Sequence, residues 1–232
     1  SGFQTVALKR VFTNEPFGER ERFWNTGIHG MICFLNRISY NIRERYRRHM
    51  ALHQRKNCFS ICRPFAIRIM QPLPYEKIAE ALEMRFGGEW ACLVRLHPRR
   101  VSPKQIEALK EQPVTDATMY PDVQELLAAA DAMVTDYSSA IFDFMLTKRP
   151  GFILAEDYDA YEQVRGFYYP LTDTPFPLAK TDAELLKQIG TFDEESYRKR
   201  INAFLKEKGS VEDGNAAKRV ADLILTQTGK SK

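Results

Sequence analysis

Two adjacent serines, Ser138 and Ser139, follow Thr135-Asp136-Tyr137 between an apolar run, Ala132-Met133-Val134, and an amphipathic run, Ala140 to Leu146. That order predicts strand, polar turn, helix. A helix start offers unpaired N–H groups and a positive dipole end, and serine hydroxyls add donors; together these suit a phosphate. Ser is also a favoured N-cap in any protein, so at this level the turn is either a cap or an anion site. The second candidate is His97, which follows the apolar run Trp90 to Leu96 and precedes Pro98-Arg99-Arg100. Imidazole titrates near neutral pH and can act as acid or base; the plainer alternative is a loop histidine capping a carbonyl. Arg99 and Arg100 could draw in an anion or form a solvated edge. Asp136 reads as a turn or cap residue rather than a metal ligand, and no carboxylate pair with ligand spacing stands out, so no metal and no cofactor are expected. Asp143 reads as a structural partner, while Tyr168 and Tyr169 either fill the core or line a cleft.

The elements around these residues alternate. Ile78, Leu82 and Phe86 recur at helical spacing within Tyr75–Phe86. After Gly87-Gly88, Trp90 to Leu96 reads as a buried strand. Ser102-Pro103-Lys104-Gln105 combines a cap, a first-turn Pro and a capping-box Gln, predicting a helix to about Glu111. A helix over 122–130 leads into a strand over 132–135, and a helix from Ser139 to about Thr147 stops before Pro150. Gly151 to Leu154 is the next strand. Thr181-Asp182-Ala183-Glu184 reads as a second capping box and opens a helix to about Gly190, and two more helices cover about 194–208 and 215–226. Alternation of this kind implies an α/β fold with a parallel sheet flanked by helices. Ligands in such sheets sit at the carboxyl ends of the strands, where both His97 and the Asp136–Ser139 turn fall.

The chain has 232 residues, 44% of them hydrophobic, enough for one large or two small domains. No apolar run is long enough to span a bilayer, and no stretch reads as a signal peptide. The four cysteines show no metal spacing beyond an isolated C-x-x-x-C, which suits a reducing cytoplasm. The net charge of +4 is unevenly placed: residues 28–73 hold nine Lys/Arg against one acid, Glu44, an excess of eight that leaves −4 elsewhere.

Three blocks carry a family resemblance. They are Val94-Arg95-Leu96-His97-Pro98-Arg99, the stretch from Asp131 to Phe144, and Arg149-Pro150 followed by Arg165-Gly166-Phe167-Tyr168. In this order and spacing they resemble the C-terminal half of the CDP-glycerol glycerophosphotransferases, the teichoic-acid primases and polymerases, over roughly residues 74–228. The resemblance implies the nucleotide-binding, Rossmann-like half of a GT-B fold. It implies transfer of glycerol phosphate from CDP-glycerol to a polyol hydroxyl on a membrane-bound teichoic-acid or capsule-like acceptor, with release of CMP. Ser138 and Ser139 would hold the donor phosphates, and His97 matches the family's catalytic histidine. Arg165 matches the R-G-x-Y block, with no role fixed; Asp136 and Arg99 complete the expected substrate-binding set. The implied location is the cytoplasm, peripheral to the inner face of the plasma membrane, with no nucleic-acid partner. CDP-ribitol stays open as donor.

Before Pro74 the chain departs from the family. A G-x-P-R-N-D block and a strand ending in A-P-T-F-R are both missing. The 28–73 segment instead holds three of the four cysteines and three of the four histidines. A frameshift accounts for this. With suitable synonymous codons, Ile28 to Phe34 regroup by one base into Tyr-Pro-Arg-Asn-Asp-Leu-Phe. Cys62 to Ile67 regroup the same way into Leu-Pro-Pro-Leu-Arg-Asp or its Met variant. On that reading His29, His49 and His53 carry no catalytic or metal role, and one strand of the sheet is missing or imitated. The expected organisation is a connector remnant at 1–27, the anomalous basic segment at 28–73, a Rossmann-like domain at 74–228 and a tail at 229–232. The family's N-terminal domain, with a second catalytic histidine, is not expected within these residues, and the fragment could be inactive alone. Two rivals remain: a GT-B glycosyltransferase of surface polysaccharide synthesis with another nucleotide donor, and a non-catalytic module whose basic segment binds an anionic surface.

Overall fold

The computed structural model describes residues 56–63, 73–96, 101–167, 170–213 and 215–228; the side chains of Lys56, residues 58–63 and Arg165 lie outside that description. The chain alternates from its first described strand. β1 (Lys56–Arg63) leads to α1 (Tyr75–Phe86) and β2 (Glu89–Leu96). Next come α2 (Pro103–Lys110), the two-residue β3 (Thr115–Asp116) and α3 (Val123–Ala129). β4 (Ala132–Thr135), α4 (Ala140–Met145), β5 (Gly151–Leu154) and α5 (Tyr158–Arg165) form the middle of the fold. After the two-residue β6 (Leu178–Ala179), three helices close the chain: α6 (Asp182–Gly190), α7 (Glu194–Glu207) and α8 (Ala216–Gln227).

The strands form one six-stranded sheet in the order β3-β2-β1-β4-β5-β6, and every neighbouring pair is parallel. This is the parallel α/β sheet that the alternation implied and the Rossmann-like arrangement that the resemblance implied. β1 occupies the centre, with Ile61 in register with Val94 on one side and Val134 on the other. The sheet therefore reaches upstream of residue 74, and the strand position that a frameshift would empty is filled by residues 56–63.

Side chains of successive strand residues point to opposite faces, so an unbroken buried strand is covered on both. All four residues of β4 and all four of β5 are buried. Helix α1 packs against α6, and α3 against α4. α1 forms because Ile78, Ala81 and Leu82 share one face, and each is buried. It stops at Gly87 and Gly88, whose φ values of 73° and 74° fall where a Cβ is strained. A Cβ at Gly88 would also sit 2.9 Å from Asn57 Nδ2, and Asn57 donates to the Gly87 carbonyl at 3.2 Å, stitching the helix end to β1. α2 starts with the expected capping box: Ser102 accepts from the Gln105 amide, and the Gln105 side chain accepts from the Ser102 amide. At α6 the expected box is displaced by one residue. Thr181 accepts from the Glu184 amide, but the Glu184 carboxylate accepts from the Lys180 amide at 2.7 Å.

Candidate functional site

The strands run β1, β2, β3 towards one edge, and the chain then returns to β4, β5, β6 on the other side of β1. Connections diverge at the β1/β4 boundary, and a crevice opens beyond the carboxyl ends of strands at such a switch point. β4 ends at Thr135 and delivers the chain straight into Asp136-Tyr137-Ser138-Ser139. The turn predicted from sequence therefore sits where this sheet type places ligands.

The carboxyl end of β4 is buried through Asp136, which is 3% exposed, whereas Ser138 and Ser139 are half-buried. Ser138 Oγ accepts a long bond from the Ala140 amide at 3.3 Å. Ser139 precedes α4, and its side chain makes no capping hydrogen bond. Helix α4 is shorter than predicted, six residues, because the chain beyond Met145 tightens: the Thr147 and Lys148 amides donate to the Phe144 and Met145 carbonyls, each at 2.9 Å. Its first turn closes tightly too. The Ile141 amide donates to the Ser138 carbonyl at 3.3 Å and the Phe142 amide to the Ser139 carbonyl at 3.1 Å. Those bonds consume amides that a longer, open helix start would offer to an anion. The turn's fitness for phosphate thus rests on its two hydroxyls more than on the helix behind them.

Tyr137 carries no signal of its own in the sequence, yet its side chain is firmly anchored. Its Oη donates to Asp157 Oδ1 at 2.6 Å, and its ring stacks on Tyr161 with centroids 3.7 Å apart and planes at 16°. Phe167 lies 5.8 Å from the Tyr137 ring and 5.3 Å from the Tyr161 ring. Burial, followed by the bond to the Asp157 carboxylate, pushes the Tyr137 phenol well above its usual range, so it remains a protonated donor.

A second group surrounds the end of β2. The Leu96 amide donates to Thr118 Oγ1 at 3.2 Å, and the Thr118 amide donates to Asp116 Oδ1 at 2.8 Å. Arg95 Nη1 donates to the Tyr120 carbonyl and, at 3.4 Å, to that of Ala117. Thr118 is fully buried. These bonds fix the residue immediately before His97. His97 and Arg99 themselves lie outside the described residues, as do Arg100, Tyr168, Tyr169 and everything expected of residues 1–55, 64–72 and 229–232. Arg165 is the last residue of α5, which ends at Gly166 with φ 66°. Asp143 accepts from Gln124 Nε2 at 3.1 Å, joining α3 to α4. The structure thus brings Asp136, Ser138 and Ser139 together at the switch point, with α5 reaching them through Tyr137. The missed residues Tyr137, Asp157 and Thr118 carried little signal, since each reads as ordinary turn chemistry. Among the described residues no three of His, Cys, Asp and Glu gather as a metal set, and no helix is long and apolar enough to cross a membrane.

This geometry has close relatives. The chain is 33% identical over 147 residues to the teichoic acid poly(glycerol phosphate) polymerase of Staphylococcus epidermidis, covering 62% of this chain and 20% of that protein. It is 33% identical over 154 residues to the teichoic acid ribitol-phosphate primase of Bacillus spizizenii, covering 66% and 38%. The solved structure of the wall teichoic acid polymerase TagF superposes with a TM-score of 0.66 at 27% identity, over 86% of this chain and 50% of that one. The chain therefore spans between a fifth and about half of the length of these three proteins. The pattern of the CDP-Glycerol:Poly(glycerophosphate) glycerophosphotransferase family matches residues 72–226, which take in the sheet from α1 onward and the double-serine turn, and the chain belongs to that family.

Proposed function

We propose that this chain supplies the donor-binding part of a transferase that moves glycerol phosphate from CDP-glycerol to a polyol hydroxyl of a teichoic-acid or capsule-like acceptor. The observation that carries the reading is the Ser138-Ser139 turn at the switch point of a family member's sheet. In the proposed step the acceptor hydroxyl attacks the phosphorus that bears glycerol, the bond to CMP breaks, and CMP leaves with the bonding electron pair. Negative charge grows on the phosphoryl oxygens as this happens, and the hydroxyls of Ser138 and Ser139 are placed to donate to them. Asp136 anchors the turn from the buried end of β4. His97 takes the acceptor's proton or positions its hydroxyl, and its attachment point is fixed by the Leu96–Thr118 bond. Arg99 and Arg165 offer guanidinium groups for an anionic donor. The acceptor is membrane-bound, and the protein meets it at the inner face of the membrane without crossing.

A solved TagF variant soaked with CDPG has a TM-score of 0.65 to this chain at 26% identity over 87% of it, which supports the donor class. The relationship to a ribitol-phosphate primase favours CDP-ribitol as the second donor to test. Titration calorimetry on the chain should detect CDP-glycerol or CDP-ribitol and should prefer either to a UDP-sugar. The double substitution Ser138→Ala, Ser139→Ala should weaken that binding roughly tenfold or more, the scale of hydrogen bonds to a charged group. Unchanged affinity in the double variant would reduce the serines to turn residues. Tighter binding of a UDP-sugar would move the protein to a different donor class.

A further inference from the structure

We infer that Tyr137, Asp157 and Tyr161 act as a brace that fixes the Ser138-Ser139 turn to helix α5, making Tyr137 and Asp157 positioning residues for the donor phosphates. The second half of that statement rests on the function proposed above; the brace itself does not.

Tyr137 is the residue before Ser138, so whatever holds its side chain holds the backbone from which the serines project. The 2.6 Å bond from Tyr137 Oη to Asp157 Oδ1 crosses from the exit of β4 to the exit of β5. Asp157 immediately precedes α5, and Tyr161 lies one turn into that helix. The Tyr137 ring therefore meets α5 twice, by a charge-assisted hydrogen bond at the helix start and by ring stacking at 3.7 Å one turn on. Phe167 completes the packing 5.3 Å from Tyr161 and 5.5 Å from Tyr158, so the aromatic group extends past the end of α5.

The turn needs this support. α4 has six residues, too few to define its own start by helix cooperativity. Ser139 makes no capping bond, and the Ser138 bond to the Ala140 amide is long at 3.3 Å. Hydroxyls that must meet a phosphoryl oxygen at hydrogen-bond distance cannot sit on a turn that drifts by an ångström. The brace ties the block holding Ser138 and Ser139 to the helix whose last residue is Arg165, so both sides of the donor would be set by one contact.

The test uses the full chain and three variants. Tyr137→Phe keeps the ring and deletes the donor, Asp157→Ala deletes the acceptor, and Asp157→Asn keeps an acceptor oxygen. Amide hydrogen exchange is followed at residues 138–142, with α6 as internal reference, and affinity for CDP-glycerol is measured by calorimetry. In Tyr137→Phe and Asp157→Ala, exchange at 138–142 should rise roughly tenfold while α6 is unchanged, and CDP-glycerol should bind about tenfold more weakly. Asp157→Asn should restore most of both. Unchanged exchange in the unliganded variants overturns the brace, whatever the ligand does. Faster exchange with undiminished affinity overturns the positioning role. If the unaltered chain fails to bind CDP-glycerol, the donor reading falls, and the exchange data still decide the brace.

Discussion

Glu212, in the link between α7 and α8, should make the protein's stability fall as pH rises through the weakly acidic range. Both of its carboxyl oxygens are buried, and among the described residues neither finds a hydrogen-bond partner. Burial is the main cause that pushes its pKa from 4.5 up to about 7; Arg219 pulls it back, and Asp213 and Asp143 push it further. Between those two values the folded protein keeps a proton that the unfolded chain has released. The contribution of this group to stability is then full below pH 4.5, declines through the window and is lost by about pH 7. Each pKa unit is worth about 1.4 kcal/mol, which sets an upper bound of about 3 kcal/mol. The side chain is only half-buried, so solvent screening reduces the expected cost to about 1–2 kcal/mol. Glu212→Gln cannot ionise and keeps the size of the group. It should match the parent near pH 4.5 and exceed it by about 2–8 °C in Tm at pH 8, the shift that such an energy produces in a domain of this size. Thermal unfolding followed by circular dichroism from pH 4.5 to 8 measures the difference. A Tm difference that does not change with pH would refute the titration argument, and a variant less stable than the parent at pH 8 would show that the carboxylate is stabilised in place.

Gly151→Ala should cost about 1–2 kcal/mol, because the added Cβ would lie 3.1 Å from Tyr197 Oη, whose ring is fully buried and hemmed in by Phe192 at 4.9 Å. Adding Tyr197→Phe, which removes that oxygen, should recover most of the loss in a double-mutant cycle by denaturant unfolding, and additive losses would disprove the clash. Ser102→Ala removes one half of the α2 capping box and should lower stability by about 1 kcal/mol in the same assay; no loss would mean that the 3.4 Å bond to the Gln105 amide contributes nothing. Sequencing the encoding DNA should reveal one shifted frame that restores both missing family blocks in residues 28–73, and a frame that restores only one rules the shift out.

The parts of the fold legible in the sequence were those with a local physical signature. The α1 face of Ile78 and Leu82, the Ser102 and Thr181 caps, and the strands at 132–135 and 151–154 all announce themselves by periodicity, capping chemistry or an apolar run. β3 and β6 have two residues each, too few to show a period, and exist because a neighbouring strand offers them a ladder. α5 was missed for a different reason: among its described side chains only Tyr158 is buried, so an apolar stripe is lacking. The site divided in the same way. The serine turn was visible because strand, polar turn and helix stand next to each other in sequence. The Tyr137–Asp157 bond spans 20 residues and exists only once β4 and β5 are side by side.

The central strand sharpens what the site demands. β2 and β4 do not pair with each other; each pairs with β1, which supplies the ladder on both sides. Without a strand in that place, the buried β4 would lose one row of backbone partners. Backbone pairing is tolerant of sequence, so Lys56–Arg63 can fill the slot whatever its coding history. The crevice is less tolerant, because the switch point is bounded by the carboxyl ends of β1 and β4 together, and a ligand there meets side chains rather than ladders. A foreign sequence within β1 would therefore leave the backbone ladders to β2 and β4 in place. On the function proposed above, fold and donor binding make separate demands on the sequence: backbone ladders hold β1 in the sheet, whereas a ligand at the switch point is read by side chains.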